Sequence, residues 1–125
     1  MVASKIDERL DQLPQNLKGY DAILFQESFA SGRTAMLAKL AQEYPYQTYI
    51  PVGSGYNIYD SGVLVASRYP IVKTDHLIYP GCTGTDCFAD KGVIYAEILK
   101  NGKAYHVTST HTASFDTDAA RDMRQ

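Results

Sequence analysis

The sequence predicts an α/β fold in which helices cover the faces of a β-sheet. Three observations predict it. Two stretches with apolar residues at helical spacing flank a short, wholly apolar run. From about residue 47 the pattern turns to period two and to continuous β-rich runs. An Asn-Gly pair then separates two such runs, the connection of a tight hairpin.

The elements follow in order. SKIDERLDQLPQNLKGY reads as a short amphipathic helix with Ser4 as candidate cap, Ile6, Leu10 and Leu13 on one face, and Pro14 marking the end. Ala22 to about Gln26 is a strand, apolar on both faces and therefore expected in the centre of a sheet. Arg33 to Tyr44 is a second helix, with Met36, Leu37, Leu40, Ala41 and Tyr44 at helical spacing, and Pro45 stops it. QTYIPV is a strand, GSGYN a loop, and GVLVAS a buried strand. IVKTDHLIY alternates like a strand with one wet face. GVIYAEIL and AYHVTSTH form a hairpin through Asn101-Gly102. The last segment, DTDAARDMRQ, begins like a helix near Asp116 or Thr117 and reaches Gln125 without a C-cap, which predicts a domain that continues further.

Composition narrows the function classes. The 125 residues suit one domain or part of a larger one. At 45% hydrophobic and 21% charged, the chain has the composition of a folded protein and not of a disordered one. Net charge is −2 and no Lys/Arg cluster occurs, which counts against a nucleic-acid stripe or a basic membrane helix. No apolar run approaches the ~20 residues that span a bilayer. MVASKIDERL lacks an apolar signal core, so the protein is either cytosolic or exported by a signal upstream of this sequence. Cys82 and Cys87 are too few for an all-cysteine zinc site; a small disulfide loop is the better reading, against two free thiols. Such a closure would stabilise by about 2 kcal/mol and favour an oxidising compartment.

Two residues stand out chemically. Glu27 follows the apolar run, and a carboxylate at the end of a buried strand is costly unless paired or coordinated. It is a ligand for a hard cation such as Mg²⁺, a solvated strand-end glutamate, or a cap of the SFASGR loop with Arg33 as its ion partner. His111 ends the last strand before a loop rich in Thr, Ser and Asp, where it could act as general acid or donate to a phosphoryl oxygen. The bland alternative is an exposed loop histidine. His106 falls on the opposite strand face and reads as structural; His76 reads as solvent-facing. Ser109, His111 and Asp116 lie close in sequence, but no nucleophile elbow accompanies them, and closeness along the chain does not assemble a triad. Gly53-Ser54-Gly55 lacks the rest of a phosphate-binding motif and reads as a flexible loop.

Taken in order, YDAILFQE, Arg33 with LAKLAQEYPYQT, SGVLVASRYPI, GCTGTDCFADKGVIYAEI and YHVTSTH resemble the bacterial sphingomyelinase C branch of the endonuclease/exonuclease/phosphatase superfamily. The resemblance runs from about Tyr20 to the end. It implies part of a four-layer α/β sandwich of the deoxyribonuclease I-like kind, about its N-terminal half without the first strand, truncated at both ends. It also implies Mg²⁺-dependent hydrolysis of sphingomyelin to ceramide and phosphocholine at a membrane surface, in a secreted protein, with other divalent cations compatible. By that resemblance Glu27 holds the metal, His111 stabilises the phosphoryl group, and Asp116 occupies a nearby acidic position. Thr112-Ala113 departs from the family's Leu-Gln. The family's metal-associated Asn, Asp-x-Asn and Asp-His motifs are expected outside these 125 residues, so the isolated piece is expected to be inactive. A nuclease or inositol-phosphate phosphatase on the same fold, and a non-catalytic remnant or lipid-surface binding module, are the alternatives.

Overall fold

The computed structural model describes residues 2–29, 31–55 and 57–114, with side chains from residue 5 on. Helix α1 is Val2–Asn16 and helix α2 is Arg33–Leu40. Strands β1 (Ala22–Phe25), β2 (Tyr46–Gln47) and β3 (Leu64–Ser67) form one antiparallel sheet in the order β1-β3-β2. Strands β4 (Ile71–Ile78), β5 (Gly92–Lys100) and β6 (Lys103–His111) form a second, ordered β4-β5-β6. A 3₁₀ turn, Gly84–Phe88, precedes β5.

The alternation of β3 explains the layers. Ala66 faces Met36, Leu40 and Tyr44, with Leu10, Leu13 and Leu17 packed around them, so α1 and α2 cover one side of the first sheet. Val63 and Val65 face the other way, onto Ile94, Ala96 and Ile98 of the second sheet. Helices, sheet and sheet thus stack in three layers. β5 supplies the shared core because every second residue from Gly92 to Ile98 is buried. Tyr44, fully buried, joins α1 to α2: its hydroxyl donates to the Leu17 carbonyl and accepts from the Tyr20 N–H at 3.1 Å.

Several expectations shift. Among the described residues β1 pairs only with β3, and it is β3, buried along its whole length, that takes the centre. The continuous apolar run of β1 is used differently: Ile23 and Phe25 serve the helix side, Ala22 the inter-sheet side. Pro14 does not end α1; it falls in the last turn, where Leu17 N–H still reaches the Leu13 carbonyl at 3.1 Å. Ser4 lies inside α1 and not at its cap. α2 ends at Leu40, four residues early, and a turn closed by Tyr44 N–H to Leu40 O at 2.7 Å leads to Pro45. Only Tyr46–Gln47 of the QTYIPV region is strand; Pro51, without an N–H, is buried beyond it. β4 is wet on both faces over most of its length, as an edge strand can be. The β5–β6 hairpin is as expected: Asn101 (φ +53°) and Gly102 (φ +76°) make a two-residue turn that needs left-handed residues. The expected terminal helix lies outside the described residues.

Candidate active site

The end of β1 and the end of β6 meet across the two sheets. After Phe25 and Gln26 the chain bends at Glu27, whose φ of +52° is left-handed and uncommon for a non-glycine residue. Phe29 N–H closes back on the Glu27 carbonyl at 3.0 Å, and Ser28 N–H bonds the Gly62 carbonyl at 3.0 Å. This bend aims Glu27 at His111. Glu27 Oε1 lies 3.6 Å from His111 Nε2, with the carboxylate side chain 69% exposed and the imidazole 8%.

The histidine is fixed from its other side. His111 Nδ1 lies 3.1 Å from the carbonyl of Ser61, which can only accept. Nδ1 therefore carries the proton, and in the neutral ring Nε2 is the free nitrogen that faces Glu27. Protonation would make Nε2 a donor at the same spot. Phe29 covers the ring, with centroids 5.6 Å apart.

Asp60-Ser61-Gly62 is the frame that holds both residues. Asp60 Oδ1 accepts from Gly62 N–H at 2.9 Å, an Asx-type turn. Arg33 grips Asp60 with both guanidinium nitrogens, at 3.0 and 2.7 Å, and its Nη1 also donates to Ser28 O at 2.6 Å. Arg33 thus ties the bend after β1 to the turn before β3. Its partner is Asp60 and not Glu27, so the loop-capping ion pair is not formed, while a solvated strand-end glutamate stays compatible with a side chain that is 69% exposed. Gly62 is required twice over: its φ is +65°, and a Cβ there would lie 2.5 Å from Phe29 Cε1.

The cysteine loop supports the far side of His111. Cys82 and Cys87 form a disulfide, and within that loop Asp86 accepts from Ser114 N–H and Ser114 Oγ, both at 3.1 Å. Asp86 also pairs with the buried Lys91 ammonium at 3.2 Å. Burial pushes the Asp86 carboxyl up, but the Ser114 N–H and the Lys91 ammonium outweigh it and hold the carboxyl below its ordinary value. Ser114 stands three residues past His111, so this loop anchors the exit from β6.

The other sequence candidates separate from the site. Ser109 Oγ is buried and donates to Phe25 O at 2.7 Å, a stitch between sheets and not a nucleophile. His106 lies on the outer face, 2.7 Å from the Tyr95 hydroxyl, and exposed His76 lies 2.7 Å from the Tyr49 hydroxyl. Asp116 lies outside the described residues. Gly53 is pinned, its N–H on the buried Asp90 at 2.7 Å. Sequence reasoning missed Asp60, Ser61 and Phe29; the Asp-x-Gly spacing at residues 60–62 was the signal for the turn.

Asp60 is held by Arg33, whereas Glu27, beside His111, is not. Among the described residues no three His, Cys, Asp or Glu side chains converge on a point that could hold a metal. A Mg²⁺-type ion needs only one or two protein carboxylates and keeps several waters. The exposed Glu27 carboxylate suits such an ion as a single anchor and does not enclose it. Chemically, the pair offers one hard oxygen ligand beside an imidazole nitrogen that donates when the ring is protonated.

Comparison with known proteins bears on the fold and the family. The Endonuclease/Exonuclease/phosphatase family profile matches residues 3–125. Sphingomyelinase C 2 of Leptospira interrogans is 35% identical over 131 residues, covering 91% of this chain and 21% of that protein. A phospholipase C of Staphylococcus aureus is 38% identical over 128 residues, covering 88% of this chain and 38% of its own length. The crystal structure of a Staphylococcus aureus beta toxin variant with bound magnesium ions superposes with a TM-score of 0.80 at 32% identity, over 94% of this chain and 47% of that one. The chain therefore spans less than half the length of these relatives, and its three layers are of the deoxyribonuclease I-like kind. The chain belongs to the endonuclease/exonuclease/phosphatase family.

Proposed function

We propose that this chain is part of a Mg²⁺-dependent phosphodiesterase of the sphingomyelinase C type, with Glu27 anchoring the metal and His111 donating to the phosphoryl group. The observation that supports the reading is the 3.6 Å approach of Glu27 to His111, made by residues from different sheets at the ends of two strands. The metal would supply positive charge beside a phosphoryl oxygen. Protonated His111 offers Nε2–H to charge growing on that oxygen, while the Ser61 carbonyl keeps the ring from turning. Arg33 and Asp60 hold the bend rigid, so little reorganisation accompanies the reaction. The names of the relatives support a phospholipid headgroup as substrate, sphingomyelin giving ceramide and phosphocholine. The disulfide supports an oxidising, extracytoplasmic setting. That the chain spans less than half the length of these relatives supports a reading in which turnover belongs to a larger protein and not to these 125 residues alone.

The test is sphingomyelin hydrolysis by the full reading frame with Mg²⁺. Glu27→Gln and His111→Ala should each lower kcat/KM by well over tenfold, that is, by more than about 1.4 kcal/mol of barrier. A chelator should abolish turnover and Mg²⁺ restore it. Retention within tenfold by either variant would overturn its assigned role. Duplex DNA and inositol phosphates assayed beside sphingomyelin would expose a nuclease or a phosphatase on the same fold.

A further inference from the structure

Beside the site a stretch of surface carries exposed apolar side chains and no Lys or Arg. Val52, Ile58 and Tyr59 from the β2–β3 connection and Phe88 from the turn before β5 are 49–69% exposed. The loops are stitched into one platform. Ser61 N–H bonds Pro51 O at 3.1 Å, Tyr59 N–H bonds Phe88 O at 2.9 Å, and Asp90 N–H bonds Tyr59 O at 3.1 Å. Asp90, buried, accepts from Gly53 N–H at 2.7 Å and from the Asn57 side-chain amide. Val52, Ile58 and Phe88 sit next in sequence to these bonded positions, or on them, so their side chains stand on a braced base.

The platform is continuous with the candidate site. The Tyr59 ring lies 5.7 Å from that of Phe29, which in turn lies 5.6 Å from the His111 ring. Its charge is equally telling. Neither residues 51–62 nor residues 82–90 contain Lys or Arg. The three acids within them are engaged: Asp60 with Arg33, Asp86 with Lys91, and Asp90 buried under the loop. A surface with neither cations nor free anions has no attraction for a polyanion. It matches the interfacial zone of a neutral bilayer, where aliphatic groups enter the acyl boundary and a tyrosine keeps its hydroxyl wet.

We infer that Val52, Ile58, Tyr59 and Phe88 form a docking rim that inserts into the interfacial layer of a zwitterionic phospholipid bilayer and so presents its headgroups to the Glu27–His111 cleft. The inference rests on the lipid phosphodiesterase reading above and extends it to the surface that meets the membrane. Each side chain removed from the rim forfeits part of its transfer free energy, and a charge placed there must be desolvated as well.

The experiment separates docking from chemistry. The full reading frame is floated with phosphatidylcholine vesicles in the presence of chelator, so that no turnover is involved. Wild type should partition to the vesicles, with little change on adding salt or anionic lipid. Ile58→Asp and Phe88→Asp should each weaken partition at least tenfold, a change of about 1.4 kcal/mol, with unchanged thermal melting because both side chains are exposed. Leu99→Asp, beside the hairpin turn at the other end of β5, should float like wild type. Equal flotation of the rim variants and wild type would overturn the inference, as would binding that collapses with salt. A dimer in gel filtration that Ile58→Asp dissolves, without vesicle partition, would assign the rim to a second copy and overturn it too. Glu27→Gln should still float. Loss of the proposed chemistry in the turnover assay therefore leaves this result standing, and loss of flotation leaves the chemistry standing.

Discussion

Glu27 holds a left-handed backbone that costs a residue with a Cβ roughly 1–2 kcal/mol. Such strain persists where the surroundings over-determine it, and here three bonds do so: Phe29 N–H to Glu27 O, Ser28 N–H to Gly62 O, and Arg33 to Ser28 O. Glycine would adopt the same φ freely, but it also gains freedom in the unfolded chain, worth about 0.4–1 kcal/mol against the fold. The difference still favours glycine. Glu27→Gly should therefore raise the urea midpoint, by a few tenths to about 1 kcal/mol in stability, while turnover falls as for Glu27→Gln. Glu27→Gln keeps the Cβ and should show no such gain. A lower midpoint for the glycine variant would mean that the side chain, and not the bonded frame, sets the bend.

At the scale of elements, the cysteine loop shows how a short irregular segment can govern a strand end. Asp86 faces a buried ammonium and two groups of Ser114, and its carboxyl is held below the usual value. A carboxyl that is depressed in the fold contributes stability that is fully present above its unfolded pKa of about 3.9. That contribution disappears as pH falls through the lower, folded value. Asp86→Asn leaves Lys91 buried without its countercharge, which should cost about 3–5 kcal/mol near neutral pH. The gap between variant and wild type should begin to narrow below about pH 4, where the unfolded carboxyl protonates, and close only as pH falls through the lower, folded value. Denaturation midpoints measured from pH 7 to pH 3 decide it, and parallel curves would rule out the pair as the source. The disulfide was legible in the spacing of Cys82 and Cys87, and the hairpin in Asn101-Gly102. The Asp86–Lys91–Ser114 link was not, because hydrogen bonds across 28 residues leave no local pattern. Among the described residues β1 is not central, for a related reason: an apolar run shows that both faces are used, but not which strand lies beside it.

At the scale of the molecule, neither sheet contains the site. Glu27 hangs from the first sheet and His111 from the second, so their separation is set by how the sheets pack. The sequence could mark each residue as a strand-end candidate, since both follow apolar or alternating runs that end in polar loops. Their meeting depends on Val63 and Val65 interlocking with Ile94, Ala96 and Ile98, and on Ser109 Oγ reaching Phe25 O. Such contacts depend on shape, which periodicity does not encode. Ile94 is fully buried within this inter-sheet cluster. Ile94→Ala should cost about 2–5 kcal/mol, and Ile94→Val about 0.5–1.5 kcal/mol. The alanine variant should also lose turnover beyond its loss of folded protein, since a cavity between the sheets lets the two strand ends drift while each sheet keeps its own hydrogen bonds. The measurement is kcat per folded molecule, at a temperature where both variants are mostly native. If kcat stays at the wild-type value while stability falls, the spacing of Glu27 and His111 is fixed by the Arg33–Asp60 frame alone, and the inter-sheet core only holds the protein folded.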